Sequence, residues 1–277
     1  EEIITDLSHI EGLLVISRSS MMTYKGTSKK LLEIAREVKV RYMLEGSVRK
    51  AGNQLRITAQ LIDAENDCHV WAEKYNGVVD DVFLIQEKVS RSIADALQVK
   101  LSKEVEQLLT NHPIHNLQEY ELFIRARQVL WKGTLPGLLN AISIAGKGLK
   151  QNPNNAPLNA LLASAHFFLH HYGIRNEQAD LNIAEEYATR SLQIDPDCSL
   201  GHFVQAGLIF RKGRIREARK IYETALLKDP QNPELLHWLI VCYFTTGNGT
   251  HVQYLSNKLI RIDPLAPPSQ AILLAIL

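Results

Sequence analysis

Two hydrophobic periods divide this chain. From Leu117 onward, apolar residues recur at helical spacing, and the dipeptides Asp195-Pro196, Asp229-Pro230 and Asp263-Pro264 punctuate them at a constant interval of 34 residues. Proline lacks an N–H and pushes its predecessor out of the α region, so each Asp-Pro predicts the end of one helix and a clean start for the next. Between Pro196 and Pro230, the residues Ala206, Gly213, Ala218, Tyr222 and Ala225 stand at the small and large positions where two antiparallel helices of one repeat interlock. Leu236, Leu239, Tyr243 and Gly247 continue the register, which weakens at Val252 and Ser256.

Earlier in the chain the period changes. Ile3, Ile4, Leu7 and Ile10 predict a short amphipathic helix, Leu13-Leu-Val-Ile16 a short apolar strand, and Ser28 to Val38 a second helix with Leu31, Leu32, Ala35 and Val38 on one stripe. Three strand-like runs follow: Tyr42 to Lys50, Leu55 to Ala64 and Cys68 to Tyr75. In the middle run Leu55, Ile57, Ala59 and Leu61 face one way and Arg56, Thr58 and Gln60 the other. Turns at Ala51-Gly-Asn-Gln54 and Glu65-Asn-Asp67 make the three antiparallel neighbours. A helix from Asp81 to Leu97 carries Ile85, Val89, Ile93, Ala96 and Leu97 on one face, suited to covering the sheet.

The fold class expected is therefore α+β: a small α/β domain with an antiparallel sheet, followed by an all-α superhelix of repeats. The polar stretch Asn111-His-Pro-Ile-His-Asn116 separates the two, giving domains 1–111 and 112–277. The repeats are placed at 117–153, 154–197, 199–232 and 233–266, with the start of a further helix behind them. The second is longer by about nine residues, assigned to the turn His171-Tyr-Gly-Ile-Arg-Asn-Glu-Gln178. Stacked helix pairs leave a concave groove lined by the first helix of each pair. The register assigns Phe167, Phe203, Phe210, Arg211, His237 and Phe244 to that groove; the aromatics serve either there or as core between repeats. Arg211 and His237 are harder to bury and are the better groove candidates.

Composition narrows the chemistry. The 31 Lys and Arg balance 30 Asp and Glu, so no global field draws the chain onto nucleic acid or anionic lipid. Cys68, Cys198 and Cys242 are scattered and unpaired in motif, and read as small buried apolar residues of a reducing, cytoplasmic compartment. No apolar run approaches the roughly 20 residues that span a bilayer, and no leader pattern opens the chain. The chain starts on Glu1 within a helical pattern and closes on the apolar run Ala271 to Leu277, which reads as a fragment of something larger.

Catalytic signatures are missing: there is no phosphate-cradling glycine loop, no dinucleotide fingerprint and no His-Glu-x-x-His, so no cofactor is expected. Gly26-Thr-Ser-Lys-Lys30 has too few residues and the wrong order for a phosphate loop. His166 and His170 stand one turn apart and could bridge a metal, but no carboxylate or cysteine sits at matching spacing, and packing or solvation is the plainer role. The basic residues between Arg18 and Arg56 outnumber Glu33, Glu37 and Glu45; scattered over several elements without interleaved aromatics, they read as a solvated face and not a nucleic-acid surface. Glu45 and Asp63 are expected to pair with Arg49 or Arg56 across strands.

Ordered blocks add a family likeness. Val15-Ile-Ser-Arg-Ser-Ser20, Tyr24-Lys-Gly26, Leu44-Glu-Gly-Ser-Val-Arg49, Arg56-Ile-Thr-Ala-Gln-Leu-Ile-Asp63, Trp71-Ala-Glu-Lys-Tyr75 and Gln86-Glu87 resemble the TolB amino-terminal-like module over about residues 1 to 100. The repeats look like the tetratricopeptide repeats found behind class III adenylate or guanylate cyclase domains, and also behind winged-helix transcription regulators and Ser/Thr kinases. The resemblance implies accessory regulation or scaffolding: a non-catalytic segment that binds a protein or peptide partner and serves an output domain elsewhere in a longer bacterial chain. The family module opens with an additional strand and loop ahead of the first helix, neither of which is here. The sheet edge is then open to pairing, including with a second copy in a homodimer.

Overall fold

A computed structural model describes residues 2–110, 116–175, 177–266 and 269. The expected boundary near residue 112 and the apolar run 271–277 lie outside the described residues. The chain forms two compact units, and they are not sequential. The first takes its residues from Glu1–His112, Pro230–Pro233 and Ser256–Leu277; the second from Pro113–Asp229 and Glu234–Leu255.

In the first unit, helices α1 (Glu2–Ser8), α2 (Arg18–Met22) and α3 (Leu31–Val38) precede strands β1 (Tyr42–Ala51), β2 (Gln54–Asp63) and β3 (Cys68–Val78). Helices α4 (Val82–Ala96) and α5 (Lys103–Thr110) follow. The sheet is antiparallel in the order β1-β2-β3. The alternation read from β2 is realised: Leu55, Ala59 and Leu61 meet Ile85, Val89 and Ile93 of α4 and Leu7 and Ile10 of the amino-terminal segment in one buried cluster. A satellite cluster of Ile34, Ala35, Met43 and Ala64 seats α3.

Three expectations are corrected here. Leu13 to Ile16 forms no strand, because its polar backbone groups are satisfied by side chains and carbonyls far along the chain. Val15 N–H donates to Gln231 Oε1 at 2.9 Å, Gln231 Nε2 donates to the carbonyls of Leu13 at 2.8 Å and Ser8 at 3.0 Å, and Ser17 N–H donates to the Ile262 carbonyl at 2.6 Å. Asp63 pairs with neither Arg49 nor Arg56: Arg41 donates to it at 3.0 and 3.2 Å, while Glu45 accepts from its cross-strand partner Gln60 at 2.9 Å. The register decides this, setting Arg49 opposite Arg56 and Asp63 opposite Tyr42, beside Arg41. Cys68, at the start of β3, is exposed, whereas Cys198 and Cys242 are buried.

The second unit is helical: α6 (Leu117–Leu130) with α7 (Leu135–Gln151), α8 (Ala156–His171) with α9 (Gln178–Ile194), and α10 (Ser199–Arg211) with α11 (Ile215–Lys228). The last pair is α12 (Pro233–Thr245) and α13 (Gly249–Ile262), the latter passing into the first unit's residues at Ser256. The Asp-Pro reading holds locally, since Asp195 and Asp229 are C-caps whose N–H groups return to Ser191 and Ala225. The extra length of the second pair is only partly in its turn. Its helices have 16 and 17 residues against 13 and 14 in the third pair, so about two thirds of the surplus extends the helices. Helix α8 is buried almost all round, packing on α6, α7, α9 and α10. Gly207 permits a close approach of α10 to α8: a Cβ there would stand 2.7 Å from Cζ of Phe167.

Candidate partner-binding surface

The first helices of successive pairs, α8, α10 and α12, carry all six residues assigned to the groove, but at different depths. Phe167 is 0 % exposed and Phe203 2 % exposed, so these two lie in the core between repeats and support the surface from beneath. Phe210 is half-buried, Arg211 exposed, His237 half-buried, and Phe244 76 % exposed, two helical turns beyond His237 and on the same side of α12.

The residue that joins them is Trp238. Its ring lies 5.6 Å from Phe210 edge-on, 6.2 Å from Phe167, 6.5 Å from Phe203 and 5.0 Å from His171. Tyr222, fully buried, stacks beneath it at 6.3 Å. Aromatic pairs at these distances prefer edge-to-face or offset packing, which fixes each ring by its neighbours. His171 stacks flat on Phe167 at 5.6 Å and Tyr172 on Phe168 at 5.3 Å, extending the aromatic bed to the end of α8.

Three basic side chains crown this bed. Burial, the nearby Arg211 guanidinium and His170 hold the His171 imidazole below its ordinary pKa, and burial with His171 nearby does the same to His237. Both are therefore neutral at pH 7, leaving Arg211 as the fixed positive charge. Glu234 faces Tyr172 across the same region and, after burial, contributes to raising the phenol's pKa. Among the described residues, buried His237 Nδ1 and the Tyr222 hydroxyl have no hydrogen-bond partner. The arrangement offers half-buried and exposed aromatic faces beside one fixed cation, Arg211.

The sequence assigned Phe210, Arg211 and His237 to this face and did not single out Trp238, His171 and Tyr172, which the structure places against them. The missed signal was adjacency: Trp238 neighbours His237, and His171 and Tyr172 lie in the stretch assigned to a turn. His166, expected to be a packing or solvated residue in preference to a metal ligand, has a specific partner: Asp180, fourteen positions on, returns across the α8–α9 turn to hydrogen-bond His166 Nδ1 at 2.7 Å. Among the described residues no group of three or more His, Cys, Asp or Glu is gathered as for a metal ion. A shallow hollow of about 540 Å³ runs along α9, bordered by Glu185, Glu186 and Arg190, and none of the six candidates lines it. No helix among the described residues is long and apolar enough to cross a membrane.

Comparison with known proteins adds the following. Residues 1–96 match the family model of the HilA/YgeH-like transcriptional regulator, second domain, and not one bearing the TolB name; residues 210–253 match a tetratricopeptide repeat model. The chain is 39 % identical over 163 residues to the Rhizobium meliloti (strain 1021) protein named "Putative adenylate cyclase 3". That match covers 59 % of this chain and 28 % of the relative, so the chain spans little more than a quarter of it. Among solved structures, it is similar to TTC0263, a thermophilic TPR protein of Thermus thermophilus, with TM-score 0.46 and 14 % identity over 69 % of this chain and 91 % of that one. It is also similar to YrrB, a TPR protein with an unusual peptide-binding site, with TM-score 0.32 and 15 % identity over 50 % and 84 % of the two chains.

Proposed function

We propose that this chain is a non-catalytic protein-interaction and regulatory segment of a larger bacterial signalling protein in the cytoplasm. Residues 112–277 recruit an extended peptide to the face of α8, α10 and α12, and residues 1–111 relay that event to an output domain. The observation that carries this reading is the convergence of Phe210, His237 and His171 on Trp238, over a bed of buried rings, with the Arg211 guanidinium near His171. The peptide's apolar side chain packs on Phe210 and Trp238, and its carboxylate meets Arg211. The similarity to a protein named as an adenylate cyclase supports a cyclase as the output. The block resemblance to TolB amino-terminal-like modules supports the same accessory role.

The test is a peptide array probed with this chain and with Phe210→Ala, Arg211→Ala and His237→Ala. Peptides that bind the parent and lose about tenfold or more in affinity with each variant support the reading, whereas peptides held equally by all four chains overturn it. A second output is favoured by one observation, the match of residues 1–96 to a domain of transcriptional regulators. In the full-length protein, cyclic nucleotide synthesis from a nucleoside triphosphate and sequence-specific DNA retention separate the two.

A further inference from the structure

Strand β1 lies at the edge of its sheet, ladder-bonded to β2 alone, and no strand lies beyond it among the described residues. It is ten residues long and, Tyr42 and Met43 apart, exposed throughout. Two apolar side chains stand on one face of this edge, Val48 at 68 % and Leu44 at 40 % exposure. An open strand of this length and apolar content is a template for another strand.

The charges on the opposite face say which one. Arg49 is set directly opposite Arg56 of β2, a like-charge pair, and no carboxylate lies within ion-pair distance of Arg49 among the described residues. Arg56 instead donates to Asn76 Oδ1 at 2.8 Å. Two residues toward the strand centre and two beyond it, Glu45 lies on the same face as Arg49, holding only the neutral Gln60 amide at 2.9 Å. Each strand thus carries one uncompensated cation and one uncompensated anion, placed symmetrically about Ser47.

We propose that β1 pairs antiparallel with β1 of a second copy of this chain, about a two-fold axis through Ser47. In that register Glu45 of each copy faces Arg49 of the other, so both charges are answered twice. On the other face Val48 covers Gly46 of the second copy, which has no side chain to obstruct it, and lies diagonal to the second Leu44 and Val48. Neighbouring registers lose this. An axis on Gly46 sets Arg49 against Met43, and an axis on Val48 sets Arg49 against Ser47. The resulting six-stranded sheet is continuous across the two copies. The pairing uses residues of the first unit and stands independently of peptide recruitment by the repeats.

The experiment is sedimentation velocity over a concentration series with this chain, Glu45→Arg, Arg49→Glu, their equimolar mixture and the double swap, with circular dichroism confirming that each stays folded. The parent dimerises, and each single substitution, which creates two like-charge pairs, weakens self-association by about tenfold or more. The mixture restores dimers, because a Glu45→Arg strand facing an Arg49→Glu strand has every pair of opposite sign, and the double swap restores them too. A parent that stays monomeric across the series overturns the proposal. So does a dimer indifferent to the single substitutions, or one that neither the mixture nor the swap rescues.

Discussion

Asp195 and Asp263 hold equivalent places in the repeat, each ending the second helix of a pair and each followed by proline, yet their carboxylates have different work. Asp195 is half-buried and accepts from the N–H of Asp197 at 3.0 Å, a local turn that any such dipeptide makes. Asp263 is 3 % exposed and accepts from three hydroxyls: Ser17, Ser19 at 2.9 Å and Ser20 at 2.6 Å. Ser20 Oγ in turn accepts the Leu265 N–H at 3.0 Å. A repeated dipeptide fixes where a helix stops; what its side chain does depends on whichever distant segment arrives beside it. The aromatics repeat the lesson, with Phe167 sealed in the core and Phe244 open to solvent on equivalent first helices.

The sharpest way to test the contrast among the aromatics is to truncate each. Phe167→Ala removes a ring that Gly207, Phe203 and Trp238 close around, and costs about 3–5 kcal/mol of stability by urea unfolding. The contrast between the two aspartates comes next. Asp263→Ala leaves buried Ser17 and Ser20 hydroxyls without their charged acceptor and costs about 2–4 kcal/mol, whereas Asp195→Ala costs about 1 kcal/mol or less. If the two losses are equal, the serine cluster contributes nothing beyond helix termination.

Acid titration separates the two units by their groups. The imidazoles of His171 and His237 have pKa values below 6.5 in the fold, so the unfolded chain takes up protons first as pH falls through 6.5. Stability therefore declines from pH 6.5 downward, and the paired variant His171→Gln with His237→Gln flattens that limb of the thermal midpoint against pH. Asp63 acts in the same direction but over a lower pH range. The Arg41 guanidinium holds its carboxyl below 3.8, so its contribution is complete above that value and is lost only at more acid pH. Arg41→Gln flattens the lower limb alone. The smallest effect belongs to Phe244→Ala, expected to change stability by no more than about 0.5 kcal/mol because most of the ring already faces water.

Much of the fold was legible because it is local. The Asp-Pro interval, the alternation of Leu55, Ile57, Ala59 and Leu61, and the stripe of Ile85, Val89 and Ile93 all express spacing within one element. What was not legible depends on the chain returning to itself. Leu13 to Ile16 has the composition of a strand, but Gln231 and Ile262 supply its partners. Asp180 reaches His166 across a turn whose length no periodicity sets, and Arg41 outcompetes Arg49 for Asp63 through register. Of the candidate surface, Arg211 and His237 were legible as polar residues on an apolar helix. Trp238 was not, since a tryptophan amid apolar residues looks like any other core residue.

The discontinuous first unit also sets a timetable. On the ribosome the segment Val15 to Ser20 emerges well ahead of Asp263, the acceptor for its serines, which lies 246 residues beyond Ser17. At the usual elongation rates of about 5–20 residues per second, the wait is roughly 12 to 50 seconds. The sheet and its helix can form at once, whereas the serine segment stays without its buried acceptor until nearly the whole repeat array has been made. The first unit is thus begun before the second and completed after it.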